Sequence, residues 1–258
     1  MKIRFLDLLA GAEPVIGTWS QFASAEIIDV IASSGFRFTI IDTEHGFFGL
    51  ETGELLIRAC DAGAISPLFR VPRNDALMIA KALDAGASAI VVPKIQTAEE
   101  AAAAVRAAKY FPEGERGACS CTRASDHLTL DWRGFAKTAN AETGIIPLIE
   151  TPRGVENFPQ ILAVKGIVAV LLGPFDLSVA MGREGDFTHP EVIEVLEAMA
   201  RQAVAAEIPV IMPVFSPALD QAREQIGHWR ARGVRLFTIG TDKLLFADHC
   251  RRYVAGLR

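Results

Sequence analysis

The stretch "DAGASAIVVPKIQTAEEAAAAVRAAKY", residues 84–110, decides the fold. Gly86 reads as a helix stop, and the apolar run "AIVVP" follows at once. Thr97 is then a cap, with Glu99 and Glu100 in the first turn it opens. That helix runs to Lys109, before "FPEG". Helix end, strand and new helix in one short span are the grammar of a βα unit. The run carries no polar alternation, which suits a parallel strand buried on both faces. "DAGA" recurs at 61–64, again between a helical pattern and an apolar run.

Outward from this unit the same alternation fills the chain. Strands are expected at 15–19, 38–42, 67–70, 88–93, 145–150, 167–172, 209–214 and 236–239. Helices are expected at 24–34, 50–62, 75–84, 97–109, 190–206 and 217–232. An irregular excursion occupies 114–143, and a last helix, 241–257, either closes the barrel or packs on another subunit. No G-x-G-x-x-G follows any strand, which disfavours a doubly wound dinucleotide-binding sheet. The expectation is one domain over 1–258, an α/β protein with a (β/α)8 TIM barrel.

Composition narrows the function. Half of the 258 residues are apolar and the net charge is −5, so a basic nucleic-acid footprint is not expected. The opening "MKIRFLDLLAGAEPVIGTWS" is broken by charge and too short to span a bilayer. No membrane partner and a cytoplasmic location are therefore expected. Cys60, Cys119, Cys121 and Cys250 include one C-x-C pair but no second pair at zinc spacing, so they read as reduced thiols.

Barrel chemistry sits at the C-terminal ends of strands. Those ends carry Trp19, then Asp42, Glu44 and His45, then Arg70, then Pro93 and Lys94. The later strands end in Glu150, in Gly173-Pro174-Phe175-Asp176, in Met212-Pro213 and in Gly240. Glu150 and Asp176 follow adjacent strands, and two carboxylates with open positions suit Mg²⁺ or Mn²⁺. Read singly, Glu150 could instead cap or salt-bridge "TPRG", and Asp176 could cap the helix after "GPF". Arg70 suits an oxyanion or carboxylate, or a structural ion pair with a rim acid. His45 suits proton transfer near neutral pH, whereas His127, His189, His228 and His249 read as surface or capping residues. Lys94 is the rival catalyst as a Schiff-base amine, disfavoured because an acidic rim keeps it protonated.

These residues, in this order, resemble the HpcH/HpaI aldolase family of class II pyruvate aldolases, whose members include 4-hydroxy-2-oxoheptanedioate and 2-keto-3-deoxy-L-rhamnonate aldolases. The resemblance rests on "GTW", "IDTEHG", "LFRVP", "KALDAGASAIVVPKIQTAEEA", "AVRAAKYFPEGERG", "LIETPRGVEN" and "LLGPFDLSVAMG". It implies reversible cleavage of 4-hydroxy-2-oxo acids to pyruvate and an aldehyde through a metal-stabilised enolate, as in aromatic or sugar acid catabolism. It also implies Mg²⁺, Mn²⁺ or Co²⁺ held by Glu150 and Asp176, with Arg70 on the enolate. His45 would be the acid/base, acting directly or through metal-bound water. Asp42 would orient its imidazole, and Asp84 would raise its basicity, from a neighbouring subunit if not from its own. Backbone N–H groups of "GPFD" would hold the substrate carboxylate. A homohexamer with the terminal helix exchanged between subunits is implied as well.

Two departures from the family's pattern stand out. Leu148 replaces a glutamine, and Phe175 replaces the alanine of "GPADLS". "HGFFG" also brings two aromatics after His45. With Trp19 and Met212, these predict an apolar acceptor pocket. Substrate contacts are thus expected from Trp19, Arg70, Leu148, Gly173, Pro174, Phe175, Asp176 and Met212. Competing functions are an oxaloacetate decarboxylase, a CoA-ester lyase and a non-catalytic ligand-binding relative.

Overall fold

The computed structural model describes residues 3–11, 13–216 and 218–258. Among these, eight parallel strands close into a barrel in the order β1 to β8. They are β1 (Val15–Ser20), β2 (Phe38–Asp42), β3 (Ser66–Arg70), β4 (Ala89–Val92), β5 (Ile145–Ile149), β6 (Val170–Leu172), β7 (Val210–Val214) and β8 (Leu236–Thr241). The helices are α1 (Phe5–Leu9), α2 (Ala25–Ser33), α3 (Leu50–Ala62), α4 (Ala76–Asp84), α5 (Ala98–Ala108) and α6 (Trp132–Glu142). They continue with α7 (Pro152–Glu156), α8 (Phe158–Leu162), α9 (Pro174–Ala180), α10 (Pro190–Ala205), α11 (Leu219–Arg230) and α12 (Asp242–Gly256). The barrel expected from the alternating pattern is the observed fold, a (β/α)8 TIM barrel.

Side-chain parity along the strands creates two cores. Phe38 and Ile40 of β2, Leu68 of β3, Val91 of β4 and Ile146 and Leu148 of β5 point inward and fill the barrel. Ile41, Phe69, Val92, Ile149 and Leu172 point outward and pack under the helices. Close approaches need glycine. A Cβ on Gly17 would stand 2.5 Å from the Phe38 ring, and one on Gly53 of α3 would stand 2.5 Å from the Phe69 ring. Phe5 of α1, fully buried, plugs the barrel floor edge-on to Phe38 at 6.2 Å.

The predicted Thr97 cap forms and accepts the Glu100 N–H. Asp75 and Thr241 cap their helices in the same way, accepting the Met78 and Leu244 N–H groups. The two "DAGA" stops differ. Gly86 takes the left-handed turn at φ +99°, but at 61–64 that turn falls on Ala64 at +53°. Gly63 serves close packing instead, since a Cβ there would meet the Ala32 methyl at 2.6 Å.

The structure adds elements to those expected. The excursion 114–143 holds a 3₁₀ turn at Arg123–Ser125 and the helix α6. Trp132, Phe135, Ala136 and Ala139 of α6 recur at i, i+3, i+4 and i+7, an apolar face, and the Trp132 and Phe135 rings pack on Tyr110 with centroids 4.9 and 6.0 Å away. Asn140 adds a polar clasp: it accepts the Tyr110 N–H at 2.7 Å and donates to the Tyr110 carbonyl at 2.9 Å. Of the helix expected at 217–232, Pro217 lies outside the described residues.

Candidate active site

Parity also builds the rim. Continuing the inward series of β2, β3 and β5 by two residues brings Asp42, Arg70 and Glu150 to the C-terminal mouth. Asp42 and Arg70 are partners in the β2–β3 register, so their side chains meet directly. Arg70 Nε donates to Asp42 Oδ1 at 2.8 Å and Nη2 donates to Oδ2 at 2.6 Å. Nη1 lies 3.2 Å from Glu44, and the guanidinium stacks 4.5 Å above the Trp19 ring. Both members of the Asp42–Arg70 pair are buried. Burial opposes the Asp42 charge, but the bonds from Arg70, its positive charge, Gln21 and the His45 amide outweigh it and hold the carboxyl below its usual range.

Asp42 departs from its expected role. Its Oδ1 accepts the backbone N–H groups of Glu44 (3.0 Å) and His45 (3.2 Å), and its Oδ2 accepts the Gln21 amide at 2.8 Å. It therefore fixes the loop that carries His45, and the Arg70 fork, but makes no bond to the imidazole. Gln21 is a positioning residue that the sequence reading missed. Its own N–H, like that of Phe22, donates to Asp242 at the start of α12 at 2.9 Å.

Glu150 is 4% exposed. Burial, then the nearby Asp176 charge, pushes its carboxyl up to about 7, although Lys94 donates a backbone N–H to Oε1 at 3.0 Å. Neither capping alternative holds. Thr151, not Glu150, caps α7, and Gly173 is the N-cap of α9, with Asp176 in its first turn. A Cβ on Gly173 would stand 3.0 Å from Glu150 Oε2, so glycine keeps that oxygen clear. Two carboxylates in mutual repulsion, one buried and with an oxygen kept clear, fit a hard divalent cation. Among the described residues no cluster of three or more His, Cys, Asp or Glu could hold a metal. A cation here would take its remaining ligands from water and substrate.

A cavity of about 550 Å³ opens on this rim. Its lining includes Trp19, His45, Arg70, Leu148 and Glu150, and the whole run Gly173, Pro174, Phe175 and Asp176. Gln21, Phe187, Phe215 and Leu244 also line it; the sequence reading named none of them. Phe187 and Phe215 come from loops that only the closed barrel brings to the mouth.

Four expected contributors lie elsewhere. Met212 is fully buried in the outer core and lines not the cavity but an adjoining cleft, with Trp229 and His228. Strand parity turns Ile211 and Pro213 inward, so Met212 faces the helices. Phe47 is 99% exposed and Phe48 packs on the outer core, so neither aromatic of "GFF" lines the cavity. Asp84 ends α4, at the opposite end of the barrel from the rim, and pairs with Arg116 at 2.6 Å. Within one chain it does not meet His45.

Lys94 contributes its backbone rather than its amine. The residue takes φ +53°, which turns its N–H onto Glu150. Its side chain is 63% exposed, with Nζ 3.9 Å from Glu44. An amine so open and so near an acid is a poor Schiff-base nucleophile.

Comparison with known proteins places this site in a lineage. The family model described as HpcH/HpaI aldolase/citrate lyase matches residues 15–248. The hydroxypyruvate/pyruvate aldolase of Roseovarius nubinhibens is 31% identical over 98% of this chain and 96% of its own length. The 4-hydroxy-2-oxo-heptane-1,7-dioate aldolase of Klebsiella pneumoniae is 34% identical over 96% of this chain and 91% of its own. The crystal structure of an HpcH/HpaI aldolase from Desulfitobacterium hafniense superposes with a TM-score of 0.91 at 28% identity, covering 99% of this chain and 96% of that one. The rim of acids, arginine and histidine thus stands in a barrel whose sequence matches that family from β1 into α12, and the chain belongs to the HpcH/HpaI aldolase/citrate lyase family.

Proposed function

We propose that the protein is a class II pyruvate aldolase, a carbon–carbon lyase that cleaves 4-hydroxy-2-oxo acids to pyruvate and an aldehyde. The observation that carries this is the Glu150–Asp176 pair, facing one cavity with Arg70 and His45. Glu150 and Asp176 would hold Mg²⁺, Mn²⁺ or Co²⁺. Such a cation supplies Lewis-acid polarisation of the substrate's 2-oxo group.

The chain's own residues do the rest. Arg70, preset by its fork to Asp42, offers positive charge to the oxygen that becomes an enolate. With Gly173 as N-cap, the N–H groups of Phe175 and Asp176 lack intrahelical acceptors and suit the substrate carboxylate. His45, exposed at the mouth, takes the C4 hydroxyl proton as the C3–C4 bond breaks. The bonding electron pair passes to the enolate, and C3 then accepts a proton to give pyruvate. In synthesis the same imidazole returns a proton to the aldehyde oxygen.

We assign the chain, 1–258 as one domain, to a homo-oligomer. Phe246, Tyr253 and Val254 of α12 and its C-cap Leu257 are exposed on one chain, a stripe suited to a second copy. Exchange of α12 in a hexamer, and Asp84 reaching a neighbour's His45, belong to this assignment. The surroundings it implies are the cytoplasm and the breakdown of aromatic or sugar acids. No helix among the described residues is long and apolar enough to cross a membrane.

The test is pyruvate release from a panel of 4-hydroxy-2-oxo acids, with each of the three cations and with EDTA. Release should require a cation and return when one is restored. Release that survives complete chelation but stops after borohydride trapping would favour a lysine Schiff base instead.

A further inference from the structure

Resting on the pyruvate-aldolase reading, we propose that the acceptor half of the substrate is an aryl aldehyde, seated among Phe175, Phe187 and Phe215. Three segments supply these rings: the first turn of α9, the segment between α9 and α10, and the turn after β7. Phe187 and Phe215 meet edge to face, their centroids 5.8 Å apart at 60°. An aromatic guest extends that edge-to-face packing. Phe175 lies over Gly185, where a Cβ would come within 3.0 Å of its ring and where φ is +86°. That glycine gives the ring its seat.

The loop that carries Phe187 is braced before any substrate arrives. Asp186 accepts the Thr188 N–H at 3.0 Å and its hydroxyl at 2.6 Å, and Arg183 pairs with Glu191 across the loop. A wall already ordered loses little entropy when a ligand is seated on it. Phe175 is half exposed and Phe187 and Phe215 are partly exposed. An apolar guest removes that surface from water.

Charge points the same way. Among the described residues that line the cavity, the only permanent cation is Arg70, already forked onto Asp42 and close to Glu44. At the rim, Lys94 leans on Glu44, and Lys243 lies 6.0 Å over the Phe22 ring and 5.9 Å over the Phe47 ring. A second carboxylate on the acceptor would therefore face phenyl rings, Glu150 and Asp176, and the described cavity lining itself offers it no permanent cation besides Arg70. Burying an unpaired charge in such surroundings is costly. Leu148, where the family pattern has an amide, continues the apolar wall.

The reaction balances without any co-reactant. In 4-hydroxy-2-oxo-4-phenylbutanoate the C3–C4 bond breaks, the hydroxyl proton passes to His45, and the electron pair moves into the enolate. Benzaldehyde leaves, and C3 takes back a proton to give pyruvate.

The test compares kcat/KM for this compound and for 4-hydroxy-2-oxoheptanedioate, using enzyme supplied with Mn²⁺. The wild type is expected to favour the phenyl substrate by at least about tenfold. Phe187→Ala and Phe175→Ala should each reduce that ratio by about tenfold, and Phe187→Lys should move it further toward the dicarboxylate. Should Phe187→Ala fail to fold, the half-exposed Phe175 decides through Phe175→Ala. A wild-type ratio at or below unity, or a ratio that neither alanine variant moves, overturns the aryl assignment. Exchange of pyruvate C3 protons with D2O separates the two levels. Exchange alongside a failed ratio overturns the acceptor assignment alone. Absence of both exchange and cleavage overturns the aldolase reading, and the acceptor assignment with it.

Discussion

Glu150→Gln is expected to lower kcat/KM for pyruvate release by at least about 10³-fold, about 4 kcal/mol of transition-state stabilisation. The substitution keeps the size of the side chain and an acceptor for the Lys94 N–H. It removes the anionic oxygen that Asp176 cannot replace alone. Mn²⁺ affinity, measured by calorimetry, should fall in parallel. Folding should not suffer, because burial and then Asp176 already oppose the charge on Glu150. Metal-free Glu150→Gln is expected to unfold at a urea concentration no lower than metal-free wild type at neutral pH. A variant that keeps cleavage within about tenfold of wild type would remove Glu150 from the chemistry.

The second large effect concerns the Asp42–Arg70 pair. Arg70→Lys is expected to lower kcat by about 10²–10³-fold with a smaller change in KM, the pattern for a group that acts mainly on developing charge. A lysine keeps the charge but cannot reproduce the two bonds to Asp42, the approach to Glu44 and the stacking on Trp19. Asp42→Asn should cost stability instead, about 3–5 kcal/mol by urea unfolding, because it leaves a buried guanidinium poorly compensated. The pH dependence follows from the lowered Asp42 pKa. A carboxyl held below its unfolded value contributes stability that is fully present above the unfolded pKa, about 4. That contribution is lost as the pH falls through the folded value. The gap between wild type and Asp42→Asn should therefore be full at pH 7 and close below about pH 4. A gap that stays constant down to pH 3 would contradict the ion-pair origin.

Much of the barrel was legible because its grammar is local. Thr97, Gly86 and the apolar run "AIVVP" each state their role within a few residues. Asp42, Arg70 and Glu150 were legible for a related reason: each stands at the end of a strand on the inward parity, two residues beyond a core side chain, whereas Asp176 lies in the first turn of α9. Met212 shows the limit of reading strand ends without parity, since one position turns it from cavity to outer core. Asp42 bonds Arg70 and the His45 amide rather than the imidazole, which the sequence did not show because register partnership with Arg70 is a tertiary fact. Gln21, Phe187 and Phe215 sit in loops whose convergence depends on barrel closure. The helix α6 has an apolar face, Trp132, Phe135, Ala136 and Ala139, but it is short and set in the polar excursion 114–143. Its partner Tyr110, which the Asn140 clasp also holds, comes from across that excursion.

The measurement that bears most directly on pyruvate enolate chemistry at this rim is exchange of pyruvate C3 protons with D2O, followed by proton NMR without any acceptor aldehyde. The wild-type protein with Mg²⁺ should exchange them, and EDTA, Glu150→Gln and Arg70→Lys should each suppress the exchange. Exchange at the wild-type rate in chelated protein or in Glu150→Gln would contradict the assignment of the enolate to the Glu150, Asp176 and Arg70 rim.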